Sequence, residues 1–348
     1  MSALRPVAGT ADEIIAAVRG WLAAEAEPEP LVVETSGSTG APKRVLLSRR
    51  AVLASARATS ARLGAEGRWL LALPPTYVAG LMVIARSLVA GRRPLLVDDF
   101  PSLAATTLGE LGVGAPRFLS LVPTQLHRLL DSPTETAALR SLHTVLLGGG
   151  PIPAGLRERA AAAGVRVVAT YGSAETSGGC VYDGVPLDGV GVALGAEGRI
   201  RLTGPMLFDG YAGNPALTAE TLVDGWFLTS DAGRLDEDGR LQVLGRVDDV
   251  VVSGGVNVPG PAVAARLREH PAVREAEVLG VDDAEWGQRL VAFVVGEAGL
   301  PRVGLDEVRD WVAATLPRTW APRQLVTVES LPMLDNGKLD RVSLRDRA

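Results

Sequence analysis

The residues best equipped for chemistry sit in the run Thr35-Ser36-Gly37-Ser38-Thr39-Gly40-Ala41-Pro42-Lys43. Gly37 and Gly40 let the backbone turn its N–H groups inward, Ser36, Ser38 and Thr39 add hydroxyl donors, and Lys43 brings a full positive charge. That many donors around one cation suit a polyphosphate. A Walker loop would need its Gly-Lys-Ser/Thr to pass from a strand into a helix; here the lysine follows Ala-Pro, and Val45-Leu46-Leu47 reads as another strand. The competing explanation is a plain Ser/Gly-rich hairpin joining Leu31-Val32-Val33 to Val45-Leu46-Leu47. Three more charged residues follow glycine-bearing strings: Glu175 after Tyr171-Gly172-Ser173-Ala174, Asp231 after Asp224-Gly225-Trp226-Phe227-Leu228-Thr229-Ser230, and Lys338 after Asn336-Gly337. Taken singly, they are more often a solvated carboxylate, a turn residue and a lysine beside a hairpin turn.

The elements around these residues alternate. A surface helix is expected over 11–26, opened by Thr10 and Asp12, and another from Ser48 to Leu63. Strand 69–73 ends at Pro74-Pro75, helix 79–90 and strand 94–97 follow, then a helical 106–111, strand 117–122, a helix from Pro123 to Leu130, strand 144–147, helix 153–164 and strand 166–169. Such a succession predicts a largely parallel sheet flanked by helices, with ligand loops at the carboxyl ends of strands. Leu73-Pro74, Gly148 to Pro151 and Tyr171 onward fall at such ends. From Gly189 the texture changes to short strands between Gly and Asp turns, an antiparallel or barrel-like part. Helix 261–269, strands 275–281 and 289–295 and helix 305–315 then make a compact α+β unit. The fold class is therefore α/β: a large N-terminal domain over 1–247 with mainly parallel sheets and a small barrel-like part, then a small mobile α+β domain over 248–348.

Composition narrows the function. A formal charge of −5, with arginines scattered and no basic stripe interleaved with aromatics, argues against nucleic acid. The single cysteine, Cys180, excludes a disulfide framework, and with His127, His143 and His270 far apart no Cys/His cluster has metal-ligand spacing. Residues 69–85 are interrupted by Pro74, Pro75 and Gly80 and are too short to span a bilayer. No signal peptide opens the chain, so a cytoplasmic location is expected.

Taken in order, these strings resemble the adenylate-forming superfamily, which contains acyl-CoA synthetases, peptide-synthetase adenylation domains and luciferases. The resemblance covers nearly the whole chain. It implies that Thr35, Ser36, Gly37, Ser38, Thr39, Gly40 and Lys43 hold the phosphates of ATP, that Gly148, Gly149 and Gly150 wall the adenine pocket, and that Tyr171, followed by Gly172, lies beside the base. Asp231 would take the ribose hydroxyls, with Arg246 in the same nucleotide set, while Glu175 and Thr176 hold Mg2+. Gly245-Arg246-Val247-Asp248-Asp249 is similar to the hinge motif, with Asp248 as pivot. Lys338 matches the catalytic lysine, and Ser253, Gly254 and Gly255 would border the coenzyme A tunnel. Tyr77, Ser120, Thr124, Gly149 and Ser173, placed at strand ends, would line the acid pocket.

The implied chemistry accounts for the residue types. A carboxylate attacking the α-phosphate of ATP approaches an anion, so charge must be neutralised and attacking and leaving oxygens aligned. Lys338 would stabilise the charge that develops as pyrophosphate leaves; a swing about Asp248 would then present another face for thioester formation. The expected partners are a small carboxylic acid, ATP and coenzyme A, with no nucleic acid and no membrane span; a homodimer is allowed.

Within the superfamily the chain is most similar to the short actinobacterial o-succinylbenzoate-CoA ligases of menaquinone biosynthesis, through its abbreviated amino terminus and Ser120-Leu121-Val122-Pro123-Thr124-Gln125-Leu126. The alternatives are a ligase for another aryl or short acyl acid, an adenylation enzyme loading a carrier protein, and a degenerate member that binds nucleotide without turnover. Departures from the family pattern are the short segment before Thr35, where a subdomain is missing or reduced, Tyr77 in place of a frequent histidine, Arg199 for a frequent glutamate and Ser230 for a frequent glycine.

Overall fold

A computed structural model describes residues 4–35, 42–99, 101–108, 114–246, 250–333 and 339–348. Contacts gather the chain into two compact units, 1–193 with 201–229 and 236–241, and 194–200 with 230–235 and 242–348. The expected division at 247/248 lies outside the described residues and stands as a proposal.

In the first unit, helix α1 (Ala11–Leu22) starts from Thr10, which exchanges hydrogen bonds with Glu13 in a capping box. It stops short of the expected Ala26, and beyond it the Trp21 indole donates to the Glu29 carbonyl, holding the returning chain against the helix. Strands β1 (Leu31–Thr35) and β2 (Lys43–Leu47) pair antiparallel with Thr35 opposite Lys43. Then come α2 (Arg49–Leu63), β3 (Arg68–Leu71), α3 (Val78–Val89), β4 (Leu95–Leu96), α4 (Leu103–Leu108), β5 (Arg117–Leu121), α5 (Pro123–Leu130), α6 (Pro133–Arg140), β6 (Thr144–Leu147), α7 (Ala154–Ala162), β7 (Val167–Ser173), β8 (Gly178–Tyr182) and β9 (Val185–Pro186).

The main sheet has seven strands in the order β4-β3-β5-β6-β7-β8-β9, parallel as far as β7 and antiparallel beyond it. The continuous apolar runs of β3, β5 and β6 follow from burial on both faces: Leu70, Leu119, Val145 and Leu147 are all fully buried and pack with Leu126 and Leu139 from α5 and α6. The parallel α/β reading thus holds, with two corrections. Helix α6 has no counterpart in the sequence expectation, and β7 does not end at Ala169 but runs through Tyr171, Gly172 and Ser173 because β8 folds back to pair with it.

The next stretch supplies β10 (Gly191–Leu194), β11 (Arg199–Thr203), β12 (Gly210–Tyr211), α8 (Pro215–Thr221), β13 (Leu222–Val223), β14 (Trp226–Leu235) and β15 (Leu241–Arg246). Strand β12 joins β1 and β2 as the third strand of a small sheet, while the others form a five-stranded sheet ordered β10-β11-β14-β13, with β15 also on β14.

In the second unit, β16 (Val250–Ser253), β17 (Val256–Pro259), α9 (Gly260–Arg268), β18 (Val273–Asp283), β19 (Gly287–Gly296), α10 (Leu305–Ala313), β20 (Gln324–Thr327) and α11 (Arg341–Arg345) make the α+β module. Its sheet runs β17-β16-β19-β18, with β20 parallel to β19. Helices α9 and α10 cover one face through Val263, Leu267, Val308 and Val312. No helix among the described residues is long and apolar enough to cross a membrane.

Candidate functional site

The phosphate-loop candidates Ser36, Gly37, Ser38, Thr39 and Gly40 lie outside the described residues; the stem that carries them does not. Thr35 and Lys43 face each other across the β1–β2 pair, and the Thr35 hydroxyl reaches the Lys43 carbonyl at 3.5 Å. Tyr211 of β12 stands opposite Val45, two residues along β2 from Lys43 and therefore on the same face. The Lys43 ammonium sits 5.7 Å from the centre of the Tyr211 ring, within cation–π range. At its far end the Tyr211 hydroxyl donates to Glu175 Oε1 at 2.9 Å. Burial, and then the charge of Glu175, raise the Tyr211 pKa well above the ordinary phenol value, so the phenol stays a donor.

Glu175 occupies a short helical turn, 174–176, that follows β7, and it is 8% exposed. Two backbone features put it there. A bulge between Tyr171 and Gly172 re-aims the strand, and at Gly172 any Cβ would stand 2.2 Å from the Gly178 carbonyl. The turn itself is closed by Thr176: its hydroxyl accepts from the Ser173 N–H at 2.8 Å and donates to the Gly178 carbonyl at 2.7 Å. Thr176, expected with Glu175 at the metal, is fully buried and has its oxygen engaged by backbone in this fold. Among the described residues, the hydrogen bond to the Glu175 carboxylate comes from the Tyr211 hydroxyl. One carboxylate suits Mg2+ held mainly by substrate phosphates, and no cluster of three or more metal-ligating side chains occurs among the described residues.

Gly148 and Gly149 continue from β6. A Cβ on Gly148 would meet Thr170 Oγ1 at 2.4 Å, and one on Gly149, whose φ is +80°, would meet Val122 at 3.3 Å, so the ends of β5, β6 and β7 close on one another. Tyr171 is half-buried on β7, while Gly150 has open space where a Cβ would go.

Of the acid-pocket candidates, Tyr77 is the exposed residue preceding α3, Ser120 is buried on β5, and Thr124 is exposed in the first turn of α5. Gln125, beside Thr124, ties two strand ends together: its carbonyl oxygen accepts from the Val122 N–H at 3.1 Å and its amide donates to the Ala72 carbonyl at 2.9 Å. The last candidate, Ser173, is half-buried with its hydroxyl oxygen enclosed and without a hydrogen-bond partner among the described residues. Arg86 of α3 shares that condition. It is 5% exposed, its Nε has no partner, and its guanidinium lies over Trp69 at 5.2 Å. Its Nη2 would be 3.7 Å from a Cβ on Gly178, the residue paired with Ser173. Buried polar atoms are seldom left unpaired, and Arg86 Nε and Ser173 Oγ are the exceptions among the described residues. Arg86 escapes a sequence reading because it sits in an otherwise apolar helix; the single charge within 78–89 was the available signal.

Cys180, beside this place, is buried, and that burial pushes its thiol up to about 12. It contributes no nucleophile. A cavity of about 360 Å³ lies at the carboxyl ends of α1 and α3, between Arg19, Arg92 and Arg93, and none of the candidates lines it.

In the second unit, Asp231 on β14 and Arg246 at the end of β15 are half-buried, each with partners of its own. Asp248 and Lys338 lie outside the described residues. Ser253, Gly254 and Gly255 form the β16–β17 turn, with φ of +58° and +78° at the two glycines, the primed conformation of tight hairpins. The Trp286 ring packs on Gly254 so closely that a Cβ there would be 2.6 Å from it, and the Arg323 guanidinium covers the ring at 3.3 Å. The sequence reading missed both Trp286 and Arg323.

The family comparison gives the class: residues 31–202 match the model for AMP-binding enzymes and 262–338 the model for the AMP-binding enzyme C-terminal domain. The chain belongs to this family. It is 47% identical over 320 residues to a probable 2-succinylbenzoate–CoA ligase of Mycobacterium tuberculosis, an alignment covering 90% of this chain and 83% of that one. Among solved structures it resembles the o-succinylbenzoate-CoA synthetase of Bacillus subtilis in complex with its acyl-adenylate intermediate (TM-score 0.78, 29% identity, 91% of this chain and 69% of the other). It also resembles an amide bond synthetase of Marinactinospora thermotolerans (TM-score 0.80, 29% identity, 90% and 68%).

Proposed function

We propose that the protein is an ATP-dependent, AMP-forming o-succinylbenzoate-CoA ligase acting in menaquinone biosynthesis. It joins the acid to AMP with release of pyrophosphate and then passes the acyl group to coenzyme A. The family and its relatives support the reaction class. The substrate is supported by the relatives and by Arg86, whose buried Nε has no partner among the described residues and would gain one from the second carboxylate of the acid.

In this reading the 35–43 loop and Lys43 take the triphosphate, Gly148 to Gly150 and Tyr171 the adenine, and Asp231 with Arg246 the ribose side. Glu175 holds Mg2+, which would neutralise phosphate charge when bound, and Lys338 stabilises the charge that develops on the attacked phosphate. Asp248 is the pivot, and Ser253, Gly254 and Gly255 border the coenzyme A path. A cytoplasmic location, where ATP and coenzyme A are supplied, fits this reading.

The test is coenzyme A-dependent pyrophosphate release with o-succinylbenzoate, benzoate, salicylate and medium-chain fatty acids. The expected result is a kcat/KM at least about 100-fold higher for o-succinylbenzoate, because a site built to pair a second carboxylate rejects acids lacking it. A higher value for benzoate or a fatty acid would remove the substrate assignment and leave the ligase; no pyrophosphate with any acid would remove the ligase.

A further inference from the structure

Lys43 and Glu175 carry opposite charges and both contact Tyr211, the ammonium over its ring and the carboxylate at its hydroxyl, yet they make no ion pair with each other among the described residues. Tyr211 takes both contacts instead. Were the two in direct contact, each would neutralise the other before a nucleotide arrived, and the triphosphate would have to break the pair. With Tyr211 taking both contacts, the ammonium rests on a weak π-face and the carboxylate gives up a single oxygen to a hydroxyl.

The tyrosine is held firmly enough to set that spacing. It is 5% exposed, its N–H donates to the Thr218 hydroxyl at 2.9 Å, and its ring meets Phe208 edge-on at 5.0 Å, which in turn meets Phe227 at 5.4 Å. The Phe208 N–H also donates to the Glu175 main-chain carbonyl at 2.9 Å, so strand β12 and the 174–176 turn are joined at both the backbone and the side chain.

We propose that Tyr211 is a positioning residue for the first half-reaction, an insulating post that fixes one carboxylate oxygen of Glu175 and supports Lys43 from beneath while keeping the two charges apart for the substrate. This deepens the ligase reading and rests on it. The consequence is a division of labour within one side chain: the hydroxyl governs Glu175 and hence the Mg2+ dependence of nucleotide binding, whereas the ring governs Lys43 and hence nucleotide binding without metal.

The experiment compares Tyr211→Phe and Tyr211→Leu with the unaltered protein by calorimetric ATP binding with and without Mg2+, thermal melting and steady-state pyrophosphate release. Tyr211→Phe should melt within about 2 °C of the parent, bind metal-free ATP within about twofold, lose about fivefold or more of the Mg2+ enhancement of ATP affinity, and lower kcat about tenfold with the KM of the acid unchanged. Tyr211→Leu should in addition weaken metal-free ATP binding by about threefold. In a Glu175→Gln background, Tyr211→Phe should cost less than about twofold more, since the hydroxyl acts only through that carboxylate. Additive losses in that cycle, an unchanged Mg2+ enhancement, or loss of activity only in step with lowered melting would overturn the proposal. Absence of pyrophosphate release from the parent would fail the ligase reading alone, because the binding arms still report on Tyr211.

Discussion

The turn that follows β7 and the turn between β16 and β17 are both glycine-rich, but their glycines answer to different constraints. At Gly172 the backbone of Gly178 occupies the space a side chain would need, and the loop is closed by Thr176 and by the main chain of Phe208. At Gly255 nothing stands within 4 Å of where a Cβ would be, and only the φ of +78° asks for glycine. The first turn is a clamp that fixes a charged group, as a step with charge developing on phosphate requires. The second is tight at Gly254, under the Trp286 ring, and open at Gly255. In the proposed reaction the first turn would serve adenylation and the second thioester formation.

The contrast can be tested in order of expected effect. Lys338→Ala asks whether the second unit serves the first half-reaction: adenylation should slow at least about 100-fold, roughly 3 kcal/mol, with ATP binding nearly intact and thioester formation from pre-made acyl-adenylate much less affected. Retention of most of the adenylation rate would break the assignment. Arg86→Met should lower kcat/KM for o-succinylbenzoate about 100-fold while changing that for benzoate less than about threefold, as judged by pyrophosphate release; equal losses would move the second carboxylate elsewhere.

Gly172→Ala probes the clamp directly. With a Cβ forced to 2.2 Å from a carbonyl oxygen, destabilisation of about 3 kcal/mol is expected, a fall in Tm of about 10 °C. Asp248→Pro fixes φ at the proposed pivot; thioester formation should slow about tenfold with adenylation spared, and equal loss in both halves would point to misfolding. Gly255→Ala should be mildest, about 1 kcal/mol for a left-handed backbone without a clash. Any rate effect should fall on thioester formation; if adenylation slows instead, the comparison of the two turns fails.

Much of this was legible because it is local. The order of strands and helices through β7 follows from apolar runs and proline or glycine breaks, and the charged candidates follow from short strings. What escaped depends on partners distant in sequence. Helix α6, Pro133-Thr134-Glu135-Thr136-Ala137-Ala138-Leu139-Arg140, buries only Thr136, Ala138 and Leu139, so its apolar stripe is faint. Strand β7 continues past Gly172 because β8 returns beside it, and β20 is a strand because β19 lies parallel to it. Tyr211, Gln125 and Trp286 acquire their roles from Glu175, Ala72 and Gly254, none of which is near them in the chain.

Gln125 bears on how such a protein could be altered. By bridging Ala72 and the Val122 N–H, it makes the ends of β3 and β5 a single exchangeable part rather than two independent loops. Grafting a new 72–77 segment, or a new 120–125 segment, from a relative with a different acid would leave one half of that bridge unanswered in a half-buried place. Changes of acid preference should therefore be found, by selection or by design, as paired replacements of the two segments, with single-segment grafts giving unstable protein before they give a new specificity.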